Sequence, residues 1–256
     1  MPTKRAMVTG ASSGIGEAFA RDLASRGFRL ILVARRRDRL ERLAREIGSE
    51  SVEILSLDLT ADDAVQEVSR RLCEGDVNVL VNNAGVGYRG RVVDQADESI
   101  KRLVRLNLET PIRLSRAALI PMLAAREGVV INVASMGAFQ PVPYLNVYAA
   151  TKAGLLSFTE ALADEIRGSG VQVQALCPGN IPTEFQEEAG TKGSRFDRTP
   201  SMSAEMVARR SLDAAFAGRA ALQLPAAVDR LSIFAHRLLP RWVARRVAGR
   251  LIQPPG

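Results

Sequence analysis

Tyr148 and Lys152 stand four residues apart in the run Tyr148-Ala-Ala-Thr-Lys152, inside a stretch with a helical pattern. On a helix such a pair projects from one face, about one turn apart. A phenol ordinarily titrates near ~10, and an ammonium held close favours the phenolate and lowers that value. Together the two could give and take a proton near neutral pH, as hydride chemistry at a carbonyl requires. The same spacing also arises on solvated helix faces, so its surroundings must decide.

Other chemistries are excluded early. A single histidine, His236, leaves no Ser-His-Asp arrangement and no His-based metal site. Cys73 and Cys177 have no metal-ligand spacing and cannot build a disulfide framework. They read as small packed residues of a reducing cytosol. Acid–base work therefore falls to Tyr, Lys, Asp, Glu or Cys. The N-terminus lacks the apolar run of a signal peptide, and no stretch is long enough to span a bilayer, so a cytoplasmic protein is expected. The net charge of +7 would attract phosphates, nucleic acid or an anionic membrane, depending on where the arginines lie.

The elements that must position the pair alternate along the chain. Runs rich in Val, Ile and Leu at 6–9, 30–34, 52–57, 77–82, 129–134, 171–176 and 221–224 suit parallel strands covered on both faces. Helical patterns fill the gaps at 14–26, 37–47, 61–74, 95–126, 148–167 and 203–217. This alternation predicts an α/β fold, a single-domain Rossmann-like doubly wound parallel sheet of about seven strands with helices on both faces. Residues 1–225 form its body and 226–256 a helical extension. Residues 180–202, polar and punctuated by Gly and Pro, read as a long loop of the kind that serves as a lid.

Several signals point to a nucleotide. The first strand runs into Thr9-Gly10-Ala-Ser12-Ser13-Gly14-Ile15-Gly16 and then a helix. Glycines there permit a tight turn, bring backbone N–H groups to a phosphate and let helix pack on strand, in a variant of the dinucleotide fingerprint. The second strand ends in Arg35 and Arg36 where an acidic residue would hold a ribose 2′-hydroxyl. Their charge and forked N–H geometry suit a 2′-phosphate, hence NADP(H) in preference to NAD(H). The plainer reading is that they flank a solvated helix start, although cations there oppose the helix dipole. Asp58, ending the third strand, could accept from the adenine amino group. Asn82-Asn83-Ala84-Gly85 places small residues and amides at the end of the fourth strand. Each of these could also be strand-end turn chemistry.

In this combination the chain resembles the short-chain dehydrogenase/reductases. The resemblance rests on T-G-x-x-x-G-I-G at 9–16, N-N-A-G at 82–85, Asn107, Ser135, Tyr148-x-x-x-Lys152, and Pro178-Gly179 followed by Thr183; it covers about 1–220. It implies a hydride transfer between a nicotinamide and a ketone, aldehyde or alcohol, with Tyr148 as acid or base. It further implies that Lys152 tunes Tyr148 and binds the nicotinamide ribose, that Ser135 positions the substrate oxygen, and that Asn107 holds a water serving Lys152. The implied cofactor set is Gly10, Ser12, Ser13, Gly14, Ile15, Gly16, Arg35, Arg36, Asp58, Leu59, Asn83, Ala84, Gly85, Tyr148, Lys152, Pro178, Gly179, Ile181 and Thr183, with no metal. The 136–147 stretch (Met136, Phe139, Pro141, Val142, Pro143, Tyr144) and Phe185 would line the pocket. Having neither Lys nor Arg, that stretch suits a small hydrophobic carbonyl substrate.

Pro111 follows Asn107 by four residues and cannot donate to its carbonyl. Either that carbonyl is left for a water, or the proline kinks the helix or begins a new one. In the tail, Val243, Ala244, Val247, Ala248 and Leu251 share an arc flanked by Arg241, Arg245, Arg246 and Arg250, after Pro240. An upstream stripe comprises Val228, Leu231, Phe234, Ala235, Leu238 and Leu239. Such stripes serve packing or a homo-oligomer contact (dimer or tetramer), or a peripheral membrane contact. Nucleic acid is not expected, because no aromatic platform accompanies the charge. The competing class is a non-catalytic NADP(H)-binding regulatory protein on the same scaffold.

Overall fold

The apolar runs become strands because alternate residues meet different helices, and both sets are hydrophobic. In a computed structural model, which describes residues 4–199, 201–219, 221–226 and 240–253, the sheet comprises β1 (Arg5–Thr9), β2 (Arg29–Ala34), β3 (Val52–Ser56), β4 (Val77–Asn82), β5 (Gly128–Val133), β6 (Val171–Leu176) and β7 (Leu222–Gln223). The strands are parallel, in the order β3-β2-β1-β4-β5-β6-β7. Ala6, Val8, Leu30 and Leu32 meet Phe19 and Leu23 of α1 (Gly14–Ser25) and Leu212 of α8 (Ala204–Phe216). Met7, Ile31, Val33 and Leu80 meet Val65 and Val68 of α3 (Asp62–Cys73) and Leu114 of α5 (Thr110–Ala125). The expected doubly wound sheet is therefore the observed one. Strand order reverses between β1 and β4, so the crevice for a ligand opens beyond their carboxyl ends.

The remaining helices among the described residues are α2 (Arg37–Ile47), α4 (Asp97–Val104), α6 (Asn146–Glu165), α7 (Glu184–Glu188) and α9 (Arg241–Ile252). The pattern over 95–126 is not one uniform helix. Between α4 and α5, Arg105–Glu109 forms a π-turn in which Thr110 N–H bonds to the Arg105 carbonyl, five residues back. Pro111, in the first turn of α5, has no N–H to give, and the widened turn carries the chain past it without a break.

Helix α6 carries the Tyr–Lys pair and is fixed in register by buried polar bonds. Asn132 of β5 donates to Thr159 Oγ1 of α6 at 3.0 Å and accepts from Asn82 of β4 at 2.8 Å. The face of α6 turned inward bears Ala149, Lys152, Leu155, Leu156 and Thr159, so Lys152 belongs to the core stripe.

The 180–202 stretch is more ordered than a bare loop. It contains α7 and a 3₁₀ turn at Phe196–Arg198, gathered by Asn180, whose amide donates to the Phe196, Asp197 and Thr199 carbonyls. The tail helix α9 buries Ala244, Ala248 and Ile252, the last two against Val142 and Ala149 with Tyr144, Leu145, Phe196 and Leu251 around them. Of the expected arc, Val247 stays exposed and Ile252 joins instead. The upstream stripe at 228–239 lies outside the described residues, as does His236.

Candidate active site

The glycine turn is shaped by close backbone approach. Gly10 has φ +66°, and a Cβ on Gly16 would stand 2.3 Å from the Gly10 carbonyl oxygen. Thr9 Oγ1 accepts from the Asn83 and Ala84 N–H groups at 3.0 and 3.1 Å, and the Asn83 amide donates to the Thr9 carbonyl at 3.0 Å. These bonds lock the turn to the end of β4. Ser13 precedes α1 without making a side-chain cap. The N–H groups of the first helical turn therefore face the crevice as an anion site. Thr183 closes the opposite side, its methyl 3.1 Å from where a Gly14 Cβ would lie.

The two arginines after β2 differ. Arg35 is exposed, in a loose 4.0 Å pair with Asp58. Arg36 reaches across the crevice: its guanidinium donates to Ser12 Oγ at 3.2 Å, Ser13 Oγ at 2.8 Å and Glu184 at 2.8 Å. Arg39 shares Glu184 at 2.6 Å. Hydrogen bonds from Arg39 and then Arg36 hold the Glu184 carboxyl below its ordinary range. Desolvation pushes the Asp58 carboxyl up, but the Thr60 N–H and hydroxyl bonds and the Arg35 charge outweigh it, leaving it lowered. The cradle, uncapped helix start and exposed cation fit a nucleotide bearing phosphates.

Across the cavity, of about 560 Å³, stand Ser135, Tyr148 and Lys152. Ser135 Oγ accepts from Gly137 N–H at 3.0 Å and keeps its own O–H to donate. Lys152 Nζ donates to the Val133 carbonyl at 2.7 Å and lies 5.8 Å from the Tyr148 ring centre. Burial dominates both groups: it pushes the Tyr148 phenol up to about 12, against the pull of the Ser135 hydrogen bond, and the Lys152 ammonium down to about 8. Desolvation therefore decides the phenol, with Ser135 as the group that opposes it, and the lowering expected from its lysine is not seen. Below about pH 8 the pair holds both protons, the form that gives one.

Asn107 and Gly16 stand behind the cavity wall, which the other residues expected at catalytic and cofactor positions line. Asn107 is fully buried in the π-turn, donating to the Val86 carbonyl at 2.8 Å and to Thr151 Oγ1 at 3.3 Å. Its Oδ1 accepts from Val86 N–H at 2.9 Å and lies 3.2 Å from a notional Gly85 Cβ. Among the described residues no group of three or more His, Cys, Asp or Glu could hold a metal.

A family model described as short chain dehydrogenase matches residues 4–193. The chain belongs to this family. A short-chain dehydrogenase from Sphingobium yanoikuyae in complex with NADPH is 32% identical, with a TM-score of 0.82 over 92% of this chain and 94% of that one. The bulky-bulky ketone specific alcohol dehydrogenase from Comamonas testosteroni is 29% identical, with a TM-score of 0.79 over 93% of each chain. The very-long-chain 3-oxoacyl-CoA reductase of Bos taurus is 32% identical over 187 residues, 70% of this chain and 60% of the relative. The chain thus spans less than two thirds of that relative's length.

For this short-chain dehydrogenase, the substrate side differs from expectation in detail. Met136, Val142 and Phe185 line the cavity, and the Phe185 ring lies 5.5 Å from that of Tyr148. Phe139 instead packs towards Leu156 and Cys177, and Pro143 and Tyr144 support α9. Val247, Ala248, Leu251 and Ile252 of α9 form a wall that sequence reasoning left unplaced. The apolar arc was its signal; the grip of Glu184 on Arg36 and Arg39 had none. No helix among the described residues is long and apolar enough to cross a membrane.

Proposed function

We propose that the protein is an NADP(H)-preferring oxidoreductase that reduces a hydrophobic ketone or aldehyde, or oxidises the corresponding alcohol. The observation that carries this reading is the Ser135–Tyr148–Lys152 set facing the glycine turn across one cavity with an apolar far wall. Gly10, Ser12, Ser13, Gly14, Ile15, Leu59, Asn83, Ala84, Gly85, Pro178, Gly179, Ile181 and Thr183 would hold the cofactor, with Asp58 near the adenine and Arg35 at the 2′-phosphate. Bound there, the nicotinamide supplies the hydride.

The chain's own residues supply the rest. Ser135 donates to the carbonyl oxygen and fixes it beside Tyr148. The Tyr148 O–H gives its proton to that oxygen as negative charge develops, and Lys152 stabilises the phenolate left behind. Asn107 orders the chain behind Lys152, where a water would return the proton. The apolar wall and, among the described residues, the lack of a cation other than Lys152 on the substrate side favour a neutral, bulky carbonyl. The name of the ketone-specific relative supports that class.

The inward stripe of α9 is spent on its own chain, so packing is the proposed role of the tail, with Arg241, Arg245, Arg246 and Arg250 left to solvent. Self-association is proposed through an α5 face bearing exposed Ile120 and Leu123.

The test is NADPH consumption against a panel of aldehydes and ketones, by wild type and Tyr148→Phe. Turnover of at least one apolar ketone is expected, falling by about 10²–10⁴-fold in the variant. Turnover that survives in Tyr148→Phe would overturn the mechanism. NADPH binding without any turnover would favour the non-catalytic regulator.

A further inference from the structure

Three walls of the substrate half come from distant parts of the chain: 142–145, the 184–199 segment and α9. All three are fastened to the short stretch Gly87-Tyr88-Arg89-Gly90 that follows β4. Arg89 Nε and Nη2 donate to the Ile252 and Gln253 carbonyls, both at 2.6 Å. These lie at the C-terminal end of α9, where helix carbonyls lack intrahelical partners and carry partial negative charge. The same guanidinium donates through Nη1 to the Gly190 carbonyl at 2.9 Å. Gly90 N–H donates to the Tyr144 carbonyl at 2.9 Å, steadying a non-glycine residue at φ +67°. Gly87 lets the 184–199 segment approach, since a Cβ there would lie 2.5 Å from Ala189 Cβ and 3.0 Å from Phe185 Cζ.

We propose that Arg89 is a specificity-determining positioning residue: its guanidinium clasps the C-terminus of α9 to the 184–199 segment, so that α9 closes the substrate half and sets which neutral apolar carbonyl fits. The word substrate here rests on the reductase reading above; the clasp does not. Arg89 touches backbone carbonyls and none of the groups assigned to hydride or proton transfer, so it acts through the walls. A lysine could serve one of its three carbonyls but not all, because it lacks the planar fork.

The experiment compares wild type, Arg89→Ala and Arg89→Lys in the full chain, with NADPH and either 2-decanone or 2-butanone. Releasing α9 loosens contacts that only the longer ketone reaches. The KM ratio of 2-decanone to 2-butanone should rise about tenfold in Arg89→Ala, equivalent to ~1.4 kcal/mol, and be partly restored in Arg89→Lys. NADPH affinity should change less than about twofold, because Arg89 bonds the Gly190, Ile252 and Gln253 carbonyls and none of the residues assigned to the cofactor. Equal loss on both ketones, or a parallel loss of NADPH binding, would mean a general structural role and overturn the proposal. Should wild type reduce neither ketone, the panel of aldehydes and ketones decides the reductase reading and amide hydrogen exchange decides the clasp. Faster exchange in either variant at both 184–199 and 241–253, with 9–16 unchanged, supports it. Unchanged exchange in those two segments overturns it.

Discussion

The two halves of the cavity are built differently. The cofactor half consists of strand ends and one helix start, joined by backbone contacts in which a side chain has no room, as at Gly16. The substrate half is hung from loops and a tail helix, held by guanidinium–carbonyl bonds and a small apolar cluster. Rigid backbone geometry suits a ligand of constant shape. Walls fastened by side chains can change one at a time while the chemistry behind them stays fixed.

The largest effect that would test this contrast is Gly16→Val. Its added Cβ meets the Gly10 carbonyl oxygen at 2.3 Å and the Asn83 amide at 2.5 Å, so backbone must move. We expect NADPH binding to be lost and stability to fall by on the order of 3 kcal/mol, read by fluorescence titration and denaturant unfolding. A well-folded Gly16→Val that binds NADPH would erase the distinction between the halves.

Next comes Lys152→Met, at the boundary of the halves. Activity should drop by about 10²-fold or more, while the fold gains stability. The lysine titrates at about 8 in the protein against 10.5 ordinarily. The folded form therefore binds fewer protons between those values, and the wild type becomes more stable as pH rises through that window. Below pH 8 its buried charge costs on the order of 3 kcal/mol. The variant should melt higher than wild type at pH 7, less the value of the lost Val133 bond, and show a flatter stability curve from pH 8 to 10.5. A lower Tm at pH 7 would mean that the ammonium is better solvated than its burial indicates.

The smallest effect separates the two arginines. Arg35→Asp should shift the NADPH-to-NADH preference towards NADH by about tenfold or more, in kcat/KM for each cofactor. Because Arg35 makes only a loose ion pair, Tm should hardly move. Unchanged cofactor preference would assign the phosphate elsewhere, with Arg36 the first candidate.

Much of the cofactor half is legible in the chain because its signals are local. A strand, a glycine turn and a helix start occupy consecutive residues, and Gly10 and Gly16 answer to contacts within that unit or with the end of β4, while Gly14 meets Thr183 from beyond β6. Boundaries of strands and helices fall within a few residues of the hydrophobic pattern for the same reason. The substrate half is less legible because its contacts join residues far apart. Nothing near Arg89 marks it as the partner of Ile252, 163 positions later, and nothing near Glu184 announces Arg36 or Arg39.

Tyr148 and Lys152 show both sides. Residue types and spacing determined that the two would share a helix face and could handle a proton. Only the tertiary structure decided their electrostatic state, because Lys152 falls on the stripe of α6 that packs inward and is just 4% exposed. Helical period is local and readable, whereas desolvation depends on everything packed around a charge. The tail follows the same rule: its apolar arc was written in the sequence, and only the folded chain shows that Ala248 and Ile252 of that helix pack against Val142 and Ala149.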